Sequence, residues 1–355
     1  MVGETTHEKE RLTKPSRPHV EDATIEQLAE VAEHTDDVAV RRTLFGRREL
    51  ISTLIPIALI VLAARNVDWS EATRALSRAN LLYVALALLV YYATFPLRSW
   101  RWSRLLRESG ANIGWDQLLK ILFIGWFVNS IVPAKLGDLY RSYLVKRRFG
   151  ISMSRTVGVV VAERLLDLLV VFALLIVGGY VAFGRTILPD LRIVYLTGAA
   201  LAALLVAGFA GLYWLGPRLG RFFPAEARRI GRLFREGVLH SFRALPFAGP
   251  VTIAVWACEA IRLLFVLSSL GLELPLSGVV FVAVAVALLT TVPLTPAGFG
   301  FVEIAMVYVL TQGFGLAQSD AVAVAVVDRS VTVLSVIVIG GIVYWSSRKE
   351  LHGEA

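Results

Sequence analysis

Eight charged side chains lie inside stretches of the sequence that are otherwise apolar. Each would cost about 2.5–3.5 kcal/mol if it faced lipid near the middle of a bilayer, so these groups must face one another or water. The cluster has two interpretations: internal ion pairs that fix helix packing, or a polar path for a charged or zwitterionic cargo. The predicted path residues are Glu163, Arg164, Asp167, Glu259, Arg262, Glu303, Asp328 and Arg329.

The spacing of these residues suits helices. Glu163 and Asp167 are four residues apart and Arg164 precedes Asp167 by three, so all three share part of one helical face. Glu259 and Arg262 are also three apart. Irregular or ionic segments inside a membrane are tolerated only where protein or a wet cavity covers them.

A second group combines arginines with tryptophan. Arg98, Arg101 and Trp102 are expected at the membrane interface, where arginine binds phosphate through two hydrogen bonds and tryptophan lies at headgroup depth. Asp138 and Arg141 would complete a phosphate-sized headgroup site. The alternative is an ordinary belt of basic and aromatic residues that sets topology.

Motifs for enzymatic chemistry are missing from the sequence. It contains no Walker motif, nucleophile elbow or zinc motif, and its histidines lie in tails or loops without metal-ligand spacing. We therefore expect no catalytic activity, no metal and no cofactor. The single cysteine, Cys258, excludes an intrachain disulfide.

Composition predicts the elements that position these residues. Hydrophobic residues make up 56% of the 355 residues, against about 45–50% in soluble domains, and charged residues only 18%. The sequence predicts an all-α polytopic membrane protein with about seven to nine membrane helices. Its apolar blocks are 50–64, 81–97, 115–132, 156–183, 193–215, 250–272, 275–294, 301–314 and 321–345.

Basic residues determine the predicted topology. The loops on both sides of block 115–132 are rich in lysine and arginine, and both therefore favour the cytoplasm. The next apolar piece, 139–145, spans only about 10 Å as a helix, too little to cross back. We therefore predict a re-entrant hairpin here, a second one at 275–314 that starts and ends outside, and both termini in the cytoplasm.

The two predicted hairpins belong to an internal repeat. Each has a P-A-x-x-G turn, and each is followed by an F-G dipeptide and an acid–arginine pair. The spacing is 14 residues in both copies, from Gly150 to Arg164 and from Gly315 to Arg329. The loop charges give the copies opposite orientations, which is an inverted repeat typical of transporters. The predicted turn residues are Pro133, Gly137, Pro293, Pro296, Gly298 and Gly300.

Three regions are predicted along the chain. Residues 1–48 form a mostly disordered cytoplasmic tail with one short amphipathic helix at 24–33. Residues 49–347 form the integral membrane domain, and 348–355 a short cytoplasmic tail.

Four motifs in order resemble the transmembrane, flippase-like region of the lysylphosphatidylglycerol synthase family, also called UPF0104. They are R-x-x-R-W-x-x-L-L from Arg98, N-x-x-x-P-A-x-x-G-D-x-x-R from Asn129, E-R-x-x-D from Glu163, and P-L-T-P-A-G-x-G-x-x-E from Pro293. The resemblance implies lipid translocation and adds Asn129 to the predicted headgroup residues. A soluble aminoacyl-transferase domain follows this region in the synthases, and none is expected here. The turn 135–138 reads K-L-G-D and departs from the G-G-D-like form.

The sequence thus favours a phospholipid or lipid-linked-sugar flippase in the cell membrane. Its expected partners are anionic or polyprenyl-phosphate-linked lipids, with no nucleic acid. One alternative is an accessory or scaffolding protein for enzymes of envelope-lipid or glycolipid biosynthesis. Others are a proton-coupled carrier of a small anion and, less favoured, a membrane-embedded transferase.

Overall fold

The computed structural model describes residues 69–132, 135–183, 192–215, 218, 224–291 and 296–352. Every regular element in these ranges is helical. By compactness the chain divides into Met1–Leu50 and Ile51–Ala355, and the described residues all belong to Ile51–Ala355. The predicted tail 1–48 with its helix at 24–33, the apolar block 50–64, and Pro133 and Pro293 lie outside the described residues.

Twelve α-helices are described, and we number them in chain order. They are α1 (Trp69–Ser77), α2 (Leu81–Glu108), α3 (Trp115–Ile131), α4 (Leu136–Phe149), α5 (Met153–Phe183), α6 (Arg192–Trp214), α7 (Ala225–Ser241), α8 (Leu245–Ser269), α9 (Leu276–Thr291), α10 (Phe301–Tyr308), α11 (Gln318–Arg329) and α12 (Ser335–His352). A 3₁₀ turn joins α7 to α8, and a π-helical turn, Ser330–Leu334, joins α11 to α12.

Four stretches are long and apolar enough to cross a membrane. They are Leu81–Glu108, Met153–Phe183, Ala227–Ser269 and Gln318–Ser347. Shorter apolar helices include Leu276–Thr291 and Phe301–Gly313. The prediction of an all-α membrane protein is confirmed.

Helices α2 and α8 pack against each other in antiparallel directions. The Asn80 backbone N–H, at the start of α2, donates to the Ser269 carbonyl at the end of α8, with an N–O distance of 2.8 Å. Near the other end, Trp100 of α2 meets Phe247 of α8 edge to face at 4.6 Å. Each of these helices is the first long helix of one copy of the repeat. Because the two helices are antiparallel, the two copies run in opposite directions.

We call α2–α5 the first unit and α8–α12 the second unit. Each unit consists of a long helix, a broken helical hairpin and a second long helix. The hairpins pack across the unit boundary in the same way. Phe127 of the first hairpin stacks on Tyr344 of α12 at 5.9 Å, and Phe281 of the second hairpin contacts Phe183 of α5 at 5.2 Å. This exchange of contacts fits the predicted repeat.

The first hairpin differs from the prediction in its returning arm. The expected short piece, 139–145, is part of the 14-residue helix α4, about 21 Å long. Its polar residues are accommodated because Arg141 and Ser142 are buried in protein. The arm is still shorter than a hydrocarbon core of about 30 Å, so its re-entrant course remains a prediction.

The basic segment after α6 lies between two of the predicted apolar blocks, 193–215 and 250–272, and it is helical. It forms helix α7, which packs closely on α5 because glycines let the two backbones approach: a side chain at Gly158 would lie 2.2 Å from the Phe234 carbonyl oxygen. Arg155 and Glu236 pair across the same contact at 3.0 Å. The last helix also extends beyond the predicted block, to His352.

Candidate functional site

Glu163 of α5 is the centre of an ionic cluster in the first unit. Arg101 donates from Nη2 to Glu163 Oε1, and Arg141 donates from Nη2 to Oε2, both at 2.9 Å. Arg101 also binds Asp167 at 2.5 Å and Thr252 Oγ1 of α8 at 2.6 Å. Because Arg101 is fully buried, the two carboxylates provide the charge compensation that burial demands, and Thr252 accepts a further hydrogen bond.

Asp138 follows the turn glycine of the first hairpin. It binds Arg164, which is the residue after Glu163 on α5. Arg164 donates from Nε to Asp138 Oδ2 and from Nη2 to Oδ1, both at 3.0 Å. The Asn129 amide donates to the same carboxylate at 3.2 Å, from the other arm of the hairpin. The turn is thereby tied to α5 through a two-pronged ion pair.

The second unit contains a matching set of pairs. Arg262 donates from Nε to Glu259 Oε2 at 2.9 Å and also binds Asp328. Arg329 lies 2.8 Å from Glu303, measured from Nε to Oε1. Arg98 links the units, because its Nη2 donates to Glu259 Oε1 at 2.9 Å across the α2–α8 contact.

The correspondence between the units follows the predicted repeat. In each unit an acid binds an arginine of the first long helix: Glu163 binds Arg101, and Asp328 binds Arg262. In each unit the adjacent arginine binds an acid of its own hairpin, Asp138 for Arg164 and Glu303 for Arg329.

Left-handed glycines occupy equivalent places before these pairs. Gly150 and Gly315 end the returning arms of the two hairpins with φ of 68° and 66°. Such a conformation costs least at glycine and commonly ends a helix. Both glycines precede their arginine by the predicted 14 residues.

A cavity of about 200 Å³ lies between the two units. Charged, polar and aromatic side chains from both units line it, together with small residues of α9. The lining includes Arg98, Trp126, Asn129, Lys135, Arg164, Asp167, Trp256, Glu259, Arg262, Ala287, Asp328 and Arg329.

The predicted path residues fall in two places. Those that line the cavity are Arg164, Asp167, Glu259, Arg262, Asp328 and Arg329. Glu163 is instead enclosed between Arg101 and Arg141, and Glu303 lies behind Arg329. Arg164 and Arg329, the equivalent arginines of the two repeat copies, line the same cavity.

The predicted headgroup residues need a correction of position. Arg101, Trp102 and Arg141 are buried rather than interfacial, because α2 continues past the expected block to Glu108 and packs this segment inside the protein. The Arg141 guanidinium lies 4.7 Å from the centre of the Trp102 ring. Asp138 binds Arg164, whereas Arg98 and Asn129 line the cavity.

The turn residues show two kinds of backbone constraint. Gly137 is at a close approach, because a side chain there would lie 2.0 Å from the Gly125 carbonyl oxygen of the opposite arm. Gly298 and Gly300 have φ of 75° and 82°, in the region that glycine favours. Pro296 begins the short 3₁₀ turn of the second hairpin.

Several cavity residues were not predicted from the sequence, among them Lys135, Trp126 and Trp256. Lys135 lies inside the P-A-x-x-G turn, and that position was the available signal. Trp126 and Trp256 had no signal beyond their place in apolar blocks. No group of histidine, cysteine, aspartate or glutamate side chains suited to a metal occurs in the described ranges.

Comparison with known proteins agrees with this architecture. Residues 50–340 match the family described as the lysylphosphatidylglycerol synthase TM region. A UPF0104 membrane protein of Methanocaldococcus jannaschii is 31% identical over 229 residues, covering 64% of this chain and 97% of the relative. Another, from Methanothermobacter thermautotrophicus, is 26% identical and covers 83% of this chain and 95% of the relative.

A third relative is longer than this chain. The protein named glycosyltransferase AglD of Haloferax volcanii is 30% identical over 335 residues, covering 82% of this chain but only 53% of that relative. The resemblance noted from four motifs is therefore confirmed by whole-region similarity. With a family match over 50–340, the chain belongs to the family of the lysylphosphatidylglycerol synthase transmembrane region.

Proposed function

We propose that this multi-pass membrane protein moves the polar headgroups of lipids across the cell membrane, without a catalytic step. The observation that carries the proposal is the cavity between two inverted units, lined with charged and aromatic side chains from both. Inverted repeats of this kind support alternating access around a site at the boundary of the repeats.

The size of the cavity favours a headgroup rather than a whole lipid. Pockets that enclose drug-sized ligands usually measure about 300–1,000 Å³, and this one measures about 200 Å³. Acyl chains would therefore stay in the bilayer, along the exposed apolar faces of the helices. The exposed faces of α5 and α12, with residues such as Val181 and Ile342, are suited to this contact.

The cargo class in this proposal is a phospholipid or a lipid-linked sugar. The name of the Haloferax volcanii relative, a glycosyltransferase, supports a role connected with glycolipids. Its transferase activity is not part of the proposal, because the match covers only 53% of that protein. Anionic or polyprenyl-phosphate-linked lipids and envelope biosynthesis enzymes are the proposed partners. The proposal also has both termini in the cytoplasm, which the basic loops favour.

The experiment is a lipid translocation assay in proteoliposomes, with fluorescent phosphatidylglycerol, phosphatidylethanolamine and a fluorescent polyprenyl-phosphate sugar. Ala287→Phe places a ring in the cavity and should abolish translocation of the transported class. Ala200→Phe, on the exposed face of α6, is the matched control and should retain it. Absence of translocation of all three lipids by the unmodified protein would overturn the proposal.

A carrier of a small anion is the second candidate, because the cavity volume also suits a small solute. Uptake of radiolabelled inorganic phosphate into the same proteoliposomes separates the two. Uptake that Ala287→Phe blocks, without lipid translocation, would favour the carrier.

A further inference from the structure

Helix α7 (Ala225–Ser241) has two faces of opposite character. Phe234, Gly237 and Val238 are three and four residues apart, so they share one face of the helix, and that face packs on α5. The contact is close, because a side chain at Gly237 would lie 2.2 Å from the Arg155 carbonyl oxygen, and Val238 is buried. Protein therefore covers the inner face of α7.

The outer face of α7 carries a stripe of arginines. Arg228, Arg232 and Arg235 follow one another at four and three residues, so they share the face that is turned away from α5. We call these three residues the arginine stripe. Arg228 and Arg232 are exposed, and Arg235 is half-buried. The helix has four arginines against two glutamates, and Glu236 already pairs with Arg155 of α5 at 3.0 Å, so the outer face is basic.

Arg235 joins the stripe to the end of α6. Its Nη2 donates to the Tyr213 carbonyl oxygen at 3.4 Å. Its Nε is buried and has no hydrogen-bond partner among the described residues. A buried donor without an acceptor costs free energy, and a phosphate oxygen is an acceptor that would remove this cost through a charge-assisted hydrogen bond.

The surroundings of the stripe are those of a membrane surface. Tyr213 and Trp214, at the end of α6, are 51% and 69% exposed. Exposed aromatic side chains of these types concentrate where hydrocarbon meets the headgroups. Helix α7 joins α6 to α8, both of which contain apolar segments, yet its own 17 residues include four arginines. Such a helix is too polar for hydrocarbon and suits the headgroup layer.

We propose that the arginine stripe, together with Tyr213 and Trp214, binds the phosphate groups of anionic phospholipids in the adjacent leaflet. Guanidinium groups bind phosphate through two hydrogen bonds, and basic residues near a membrane attract anionic lipid. An acidic soluble protein would also complement the charge, but the exposed aromatic residues beside the stripe favour a lipid surface. The stripe does not line the cavity, so this surface goes beyond the proposed headgroup translocation and does not depend on it.

The test measures which lipids lie beside α7 in the full chain, reconstituted in phosphatidylcholine nanodiscs. A fluorophore is attached to Gly231→Cys in a Cys258→Ala protein. Gly231 is exposed next to Arg232, and no atom lies within 4 Å of a side chain added there. A small fraction of phosphatidylserine or phosphatidylcholine with a nitroxide near the top of its acyl chain is then included. Because a nitroxide quenches only a fluorophore close to it, the quenching ratio of the two lipids reports the local preference for anionic lipid.

Phosphatidylserine should quench the fluorophore more strongly than phosphatidylcholine does. The double variant Arg228→Gln/Arg232→Gln should lower this preference about fivefold or more, since one basic residue near an anionic surface contributes about that factor. Arg147→Gln/Arg148→Gln removes two exposed charges from α4 and should retain the preference. Melting temperatures establish that both double variants are folded. High salt should weaken the preference, because it screens exposed charges.

Two results would overturn the inference. Equal quenching by the two lipids in the otherwise unmodified protein would exclude an anionic lipid surface and leave the stripe to an acidic soluble partner. Equal losses in the two double variants would assign the attraction to the overall charge of the protein rather than to the stripe.

A cavity variant separates this surface from the proposed function. Ala287→Phe fills the cavity and should leave the quenching preference unchanged. Loss of the preference in that variant would mean that the lipid beside α7 is cargo of the cavity, which contradicts a separate surface. If no lipid is translocated but the preference and its loss in Arg228→Gln/Arg232→Gln persist, the proposed function fails and this inference stands.

Discussion

Arg164 binds Asp138 with two atoms of its guanidinium group, each 3.0 Å from a carboxylate oxygen. The two residues are 26 positions apart, the same separation as Glu303 and Arg329 in the second unit. In both units this pair ties the segment after the hairpin turn to the following long helix. The pair therefore controls where each turn lies relative to the cavity.

The losses caused by breaking the first pair from either side should not add up. Asp138→Asn and Arg164→Gln each leave a charge without its partner, which costs about 3–5 kcal/mol when the pair is fully buried. The Arg164 side chain is 28% exposed, so we expect the low end, about 3 kcal/mol. The double variant should lose clearly less than the two single losses together.

Thermal unfolding of the purified protein in detergent measures these losses as a double-mutant cycle. Additive losses would show that the two side chains do not interact. Retained stability in both single variants would mean that the pair makes no contribution.

Trp102 and Trp100 should respond very differently to truncation. Trp102 is fully buried beneath Arg141, and replacing it with alanine should cost about 3–5 kcal/mol. Trp100 is 48% exposed and touches Phe247 at one edge, so Trp100→Ala should cost about 1 kcal/mol. Melting temperatures of the two variants check this. A smaller loss for Trp102→Ala than for Trp100→Ala would place Trp102 at an interface after all.

Ionic residues inside apolar blocks are visible in the sequence as a group, but their individual partners are not. Apolar blocks and the 14-residue spacing predicted long helices and a repeat, since both depend on local pattern. The partner of Arg101 is 62 positions away on α5, and that of Arg98 is 161 positions away on α8. Such pairings depend on how helices cross, which a pattern along one helix does not contain.

The same limit explains the misplaced headgroup residues. An arginine–tryptophan motif after an apolar block has the composition of an interfacial belt. Burial of Arg101 and Trp102 depends on carboxylates and packing surfaces supplied by α5 and α8. The segment 225–241 lies outside every predicted apolar block, yet it packs on α5 as helix α7.

Gly137 should tolerate no side chain. A Cβ atom there would lie 2.0 Å from the Gly125 carbonyl oxygen and 2.7 Å from Asn129 Oδ1, so Gly137→Ala would force the arms of the first hairpin apart. We expect a loss of about 2 kcal/mol or more in unfolding free energy, within the range for overpacking. Gly249→Ala is the control, because no atom lies within 4 Å of a side chain added there.

Unfolding in detergent compares the two glycine variants. Gly249→Ala should unfold at or above the temperature of the unmodified protein, because alanine favours a helix. Equal melting temperatures for both variants would show that the arms have room to separate.

Cysteine labelling should place the ends of the two hairpins on opposite faces of the membrane. Single cysteines replace exposed residues in a Cys258→Ala protein, at Asp116 and Arg148 for the first hairpin and at Leu276 and Ala317 for the second. A membrane-impermeant thiol reagent should modify the first two only from the cytoplasmic face and the last two only from outside.

The expected pattern follows from two independent arguments. Arginine and lysine flank the first hairpin on both sides, which favours the cytoplasm for both of its ends. The antiparallel contact of α2 with α8 then inverts the second unit, so its hairpin must start and end outside. If Asp116→Cys and Arg148→Cys react from different faces, the first hairpin crosses the membrane. If all four positions react from one face, the units are not inverted across the bilayer. The cavity at their boundary could then not open alternately to the two sides of the membrane.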